Sequence, residues 1–152
     1  MPSVTLNLYD IHRKKQASGV GGYDLVTTLD VYCMIVISSY TVNQNTHDFR
    51  DDLGANEVSG TGYTTLGNIC DNPTATLDGS GNFSMDFDDP ATWSYNAAGF
   101  TNGDKAIFYI KRGGASSADN LIAYSNTMGG VGNGNGDFTV SINASGLYTS
   151  AR

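Results

Sequence analysis

A chain of 152 residues has the volume for one domain around one hydrophobic core. Its net charge of −7 and pI near 4.4 argue against packing on nucleic acid, which needs clustered Lys and Arg to displace counterions. Fourteen Asp against a single Glu, with 62 Gly, Asn, Ser and Thr, argue against a helical protein and for strands joined by many turns.

In chain order, Thr5 to Gln16 is the best helix candidate, with Ser3 or Thr5 as cap and Ser18-Gly19 as stop. Leu-Asn-Leu-Tyr within it also alternates as a strand does. Met1 to Asp10 has no apolar signal core, and no run approaches the roughly 20 apolar residues that span a bilayer. Synthesis in a cytoplasm and a soluble product are the expectation. Gly19 to Gly22 separates residues 1–22, an arm or docked helix, from a domain over 23–152. Leu25 to Ser39 reads as the longest strand. Val31, Cys33, Ile35 and Ile37 alternate with Tyr32, Met34, Val36 and Ser38, and both sets are largely apolar. Such a strand is buried on both faces, and a partner chain is one candidate to cover the second.

Ser38 to Gly67 is a long excursion that reads as neither a good strand nor a good helix. His47 to Leu53 suits one or two helical turns, with Thr46 as cap and Gly54 as stop. Phe49, Leu53, Val58, Tyr63 and Leu66 are spaced anchors that argue against disorder. From Thr74 onward the chain reads as hairpins. Thr74–Asp78 and Phe83–Phe87 flank the turn Gly79–Asn82, with Phe83, Met85 and Phe87 inward. Trp93 lies in a short segment from Thr92 to Tyr95. In Asp104–Arg112, Ala106, Phe108 and Ile110 face one way and Ile107 and Tyr109 the other. Asn120–Ser125 is a strand, Met128–Gly136 an exposed Gly/Asn loop, and Phe138, Val140 and Ile142 share one face. A turn over Asn143–Gly146 leads to a last strand, Leu147–Ser150. The pattern implies an all-β domain, β-sandwich or jelly-roll-like, with one short N-terminal helix and a long excursion loop.

Two cysteines do not make a disulfide framework; Cys33 in an apolar run and Cys70 in a polar turn read as free thiols, with a bridge between them the alternative. His12 and His47 are the only histidines, and Ser59 lacks the preceding glycine of a nucleophile elbow. His47 beside Asp48 reads as a loop residue bonding locally. Asp86, Asp88 and Asp89, with Asp78 or Asp104, are oxygen ligands of the kind calcium takes, as are Asp48, Asp51, Asp52 and Glu57. The spacing fits no EF-hand, and solvated turns are the simpler reading. Ser59-Gly-Thr-Gly62 lacks the ending of a phosphate loop. No cofactor, metal or enzymatic activity is expected. Arg13-Lys14-Lys15 concentrates three of the eight basic residues. It is either a solvated helix end, which the dipole favours, or a contact for an acidic surface.

Two strings carry a family resemblance. Val36-Ile-Ser-Ser-Tyr-Thr-Val-Asn-Gln-Asn-Thr-His-Asp-Phe49 and Ala55-Asn-Glu-Val-Ser-Gly-Thr-Gly-Tyr63 resemble small virion proteins of tailed bacteriophages. In that family a strand runs into Ser-x-Tyr-Thr-Pro-x-x-x-Thr-His-x-Phe, then Asn-Glu-Val-Ser-Gly-x-Gly-Tyr. Val42 stands at the proline position. The N-terminal Leu-Asn-Leu-Tyr-Asp segment and the strands at 107–111, 121–124 and 138–142 are also similar.

The resemblance implies a structural component of the particle, with a capsid cement or decoration protein favoured over a tail or neck ring or a receptor- or glycan-binding module around Trp93 and Tyr95. The implied place is the capsid exterior. The implied partners are the major capsid protein and further copies of the chain, a homotrimer by analogy with decoration proteins; neither nucleic acid nor a membrane is a partner. The candidate interface residues are Arg13, Lys14, Lys15, Tyr40, Phe49, Leu53, Val58 and Tyr63.

Overall fold

In the computed structural model, residues 3–18, 30–77, 79–81, 83–143 and 148–150 are described. Two short strands, β1 (Ser3–Val4) and β2 (Leu6–Leu8), precede the helix α1 (Asp10–Ser18). Then come β3 (Asp30–Ile37), a 3₁₀ turn at Arg50–Leu53, β4 (Asn68–Cys70), β5 (Thr74–Leu77) and β6 (Phe83–Asp86). The remainder is β7 (Gly103–Lys111), a 3₁₀ turn at Ser116–Ala118, β8 (Leu121–Ser125), β9 (Ser141–Ile142) and β10 (Tyr148–Ser150). The fold is mainly β with one short N-terminal helix, as the composition implied. No sheet among the described residues closes into a barrel, and no described helix is long and apolar enough to cross a membrane.

The centre is a five-stranded antiparallel sheet in the order β2-β8-β7-β3-β4. Its middle strands carry the alternation read from the sequence. Val31 pairs with Ile110, Cys33 with Phe108 and Ile35 with Ala106 on one face; Tyr32 pairs with Tyr109 and Met34 with Ile107 on the other.

The first face is closed by Met85 of β6, Val4 of β1 and a group of aromatic side chains from loops. Trp93 lies between Tyr63 and Phe138, with centroids at 5.8 and 5.7 Å, and Phe100 meets Phe138 edge-on at 5.6 Å. Such aromatic pairs add to the area each ring buries. Cys33 and Cys70 are both buried and free. Cys70 therefore sits at a buried strand end, where the sequence beside Asp71 reads as a polar turn.

The second face is covered by the chain itself. Tyr9 and, from the excursion, Tyr40 and Leu53 pack onto Met34, Val36, Ile107, Tyr109 and Leu121. No partner chain is needed to bury the two-sided apolar strand.

The N-terminal segment differs from the expected helix over 5–16. Leu6, Asn7 and Leu8 pair with Ser125, Tyr124 and Ala123, and the Tyr9 amide donates to Ile122 O at 3.0 Å. The open edge of β8 offers these residues backbone partners that a helix end would leave unmade, so helix formation waits until Asp10. Its carboxylate then lies in the first turn, where the dipole favours it. Residues 3–8 are thus part of the sheets instead of an arm. The 19–22 connection, strand residues 25–29, Asn82 of the hairpin turn, residues 144–146 and Leu147 lie outside the described residues.

Candidate functional site: the 38–67 excursion

The excursion crosses one face of the main sheet and is bonded at both sides of it. It returns to the strand it left: Ile37 N–H donates to Asn56 O at 2.9 Å and Val58 N–H to Ile35 O at 3.0 Å. Midway it reaches the start of β8, where Leu121 N–H donates to Asp48 O at 2.8 Å and Arg50 N–H to Asp119 O at 2.9 Å. Arg50 Nε also bonds Asp119 Oδ2 at 2.8 Å. The helical turns expected over 47–53 are a single 3₁₀ turn at Arg50–Leu53, ended by Gly54 at φ +59°.

The string Asn56–Tyr63 has a local reason at most of its positions. Asn56 Nδ2 donates to Leu53 O and its Oδ1 accepts from Ser39, closing the return. Glu57 Oε1 accepts from Leu66 N–H at 2.5 Å and from Tyr63 OH at 3.0 Å. The Tyr63 hydroxyl in turn accepts from Ile35 N–H at 3.1 Å. Burial pushes the Glu57 carboxyl up, and the two hydrogen bonds pull it partly back. Burial and the Glu57 charge hold the Tyr63 phenol far above its ordinary range. Val58 is a core residue. At Gly60 a Cβ would lie 2.6 Å from Phe100 N, so only glycine lets the two loops touch.

A polar line runs beneath the excursion. Tyr9 OH and Tyr40 OH are 2.9 Å apart, and Tyr40 OH is 2.8 Å from His47 Nδ1. Burial pushes the Tyr40 phenol up to about 12, and Tyr9 further still. His47 therefore bonds locally, as the sequence suggested. His12 is buried on α1, and desolvation followed by the Lys15 charge lowers its pKa to about 4.

The structure places the candidate interface residues unevenly. Tyr40, Leu53 and Val58 are buried in this chain's own core and present no surface outward. Phe49 and Tyr63 are half-buried. Phe49 bridges to Asn120 and carries Lys15 Nζ 4.5 Å above its ring. Lys15 turns inward to Asp48 Oδ2 at 2.5 Å, so the basic cluster divides. Arg13 and Lys14 alone stay exposed, Arg13 beside Asp10 at 3.8 Å.

Several of the acidic groups accept hydrogen bonds from this chain's own backbone or side chains. Asp52 Oδ2 accepts from Asp48 N–H and Phe49 N–H, Asp89 Oδ1 from Ile142 N–H, and Asp88 Oδ2 from the Asn72 amide. Among the described residues no group of three His, Cys, Asp or Glu is placed to hold a metal ion. Trp93 is 1 % exposed, which removes it as a stacking platform for a sugar; Tyr95 remains out at 57 %.

Sequence reasoning missed one residue that organises this region. The 129–136 loop is not a free tip: Asn133 is fully buried. Its Oδ1 accepts from Phe100 N–H at 3.0 Å, and its Nδ2 donates to Ser94 O at 2.9 Å and Thr61 O at 3.2 Å. Three loops are tied through one amide. A Gly/Asn repeat gives no sign of which asparagine goes inward. Glu57 did carry a signal, as the only glutamate in the chain.

Comparisons with protein-family models, with curated proteins and with solved structures find no match to this chain.

Proposed function

We propose that this chain is a structural component of a tailed-bacteriophage particle, a capsid cement or decoration protein that binds the outer shell and bridges neighbouring subunits of the major capsid protein. One observation carries the reading. The string that bears the family resemblance, Asn56–Tyr63, spends its polar groups on holding the excursion to its own sheet. It is a signature of shape instead of chemistry, which suits a protein that acts by covering a surface. The net charge of −7 suits a face turned away from packaged DNA.

The mechanism is energetic. Each copy lies across a junction, and the buried contact opposes the outward pressure of the packaged genome. A standard interface of about 1,600 Å² at about 25 cal/mol per Å² is strong in gross terms before association costs are subtracted. Repetition over the shell multiplies the effect. Arg13 and Lys14 are the exposed basic residues of the candidate set and suit an acidic patch on the shell. Three-fold association rests on analogy with decoration proteins alone, because the second face of β3 is covered from within the chain.

Particles made without this protein should assemble, then lose DNA or rupture at a lower temperature than complete ones. Immunogold labelling should fall on the shell. Labelling of the tail or neck, or a six-fold ring as the purified oligomer, would replace this reading with a tail component.

A further inference from the structure

The three-stranded sheet has the order β10-β6-β5 and ends on β5. All four residues of β5, Thr74–Leu77, are exposed. One of its edges pairs with β6, and among the described residues nothing bonds to the other. Directly opposed residues of an antiparallel pair point to the same face. Ala75 opposes Met85, which enters the core. Ala75 and Leu77 therefore point to the core side of the sheet, yet both are exposed, Leu77 to 73 %. The sheet overhangs the core by one strand. On its other face Thr76 Oγ1 and Ser84 Oγ bond at 2.7 Å.

Open edges in soluble proteins are usually blunted by charge, proline or a bulge. Thr74–Leu77 contains none of these. We infer that β5 pairs with β5 of a second copy of this chain, antiparallel about a two-fold axis at Thr76, joining two three-stranded sheets into one of six strands.

Self-complementarity selects a second copy as the occupant. The two core-side faces align only in registers that set Ala75 or Leu77 against Ala75 or Leu77. The register centred on Thr76 sets Leu77 of each copy against Ala75 of the other. It sets Thr76 against Thr76 on the opposite face, beside Ser84. Pairing centred on Ala75 would instead oppose Leu77 to Pro73, which has no N–H to give. Cross-strand threonine pairs are stabilising, and setting Leu77 against Ala75 withdraws apolar surface from water. A protein of charge −7 repels its own copies, and this uncharged strand is an edge where a two-fold contact sets no like charges face to face. Four residues bury far less than a standard interface, so the dimer is weak in dilute solution and fills where copies are concentrated. The contact does not rest on the virion reading and is distinct from three-fold association.

Sedimentation equilibrium of the whole chain, from low micromolar to about millimolar concentration, should give a monomer–dimer equilibrium. Leu77→Lys should raise its dissociation constant about tenfold or more, since a leucine side chain is withdrawn from the contact. On mild oxidation Thr76→Cys should cross-link between copies faster than Thr74→Cys, because only position 76 meets itself. A monomer at every concentration, an oligomer that Leu77→Lys leaves unchanged, or equal cross-linking of the two cysteine variants overturns the inference. All three altered side chains are exposed, and near-ultraviolet circular dichroism checks that the fold persists.

Discussion

Asn133 is a single amide on which three loops converge, and its removal should be felt in all of them. Asn133→Ala leaves Phe100 N–H, Thr61 O and Ser94 O without the partner they have now. The expected cost is about 3 kcal/mol or more, read as a lower urea midpoint at unchanged slope. Glu57 separates acceptor geometry from charge. Glu57→Gln keeps an oxygen for Leu66 N–H and Tyr63 OH, whereas Glu57→Ala loses it. Burial raises the Glu57 pKa above its ordinary 4.5, so ionisation is harder in the fold than in the unfolded chain. The stability linked to it is present below 4.5 and is lost as pH rises through the folded value. At neutral pH the glutamine variant should therefore match or exceed the parent, while the alanine variant falls by about 1–2 kcal/mol. His12 has the opposite sign. The unfolded chain takes up its proton near 6.5 and the folded one only near 4. Stability is complete above 6.5 and declines as pH falls to about 4, by at most about 1.4 kcal/mol per pH unit. His12→Leu should flatten that slope in a pH series of urea melts.

The long strands were legible because alternation persists through them. β7 places Ala106, Phe108 and Ile110 on one face and Ile107 and Tyr109 on the other, as read. Leu6–Leu8 was not legible: three residues fit either period, and the choice depends on the edge of β8, more than a hundred residues away. The apolar character of both faces of β3 was plain, but a pattern reports burial without naming what covers it. Asn133 and Trp93 fall to the same limit, since a loop residue turns inward for tertiary reasons that leave no period. The excursion should behave as part of the sheet. Amide exchange at Ile37, Val58 and Leu121, which donate across the excursion, should be as slow as at Phe108 in β7. Leu53→Ala, which empties an anchor under it, should cost about 2–5 kcal/mol. Fast exchange at those amides with the rest of β3 protected would make the excursion a separate, loosely attached unit.

For the whole molecule, fewer of the candidate contact residues face outward than the residue pattern suggested. Of the basic cluster, Arg13 and Lys14 remain outward, and the Arg13–Asp10 pair is exposed, a class worth little to stability. Reversing both to Glu should leave the melting temperature within a degree or two. On the proposed capsid reading it should also slow binding to shells lacking this protein, most strongly at low salt. Unchanged binding would remove Arg13 and Lys14 from the proposed contact. Asp52 and Asp89 accept from backbone N–H groups and Asp48 pairs with Lys15, partners that spacing along the chain did not reveal and that the fold assigns.

The stitching of the excursion to Asp119, Leu121 and Asn133 has a consequence in time. Residues 38–67 leave the ribosome long before the groups that hold them. Until residue 121 has emerged, β8 is missing from the sheet and the face bearing Met34 and Val36 has no settled cover. Until residue 133 emerges, the Thr61 loop has no amide to close on. A nascent chain halted in that window presents an open apolar strand and a loose thirty-residue loop, the form in which chaperones and proteases meet incomplete proteins. Truncation series in translation extracts should show protease resistance arriving abruptly once synthesis passes that point.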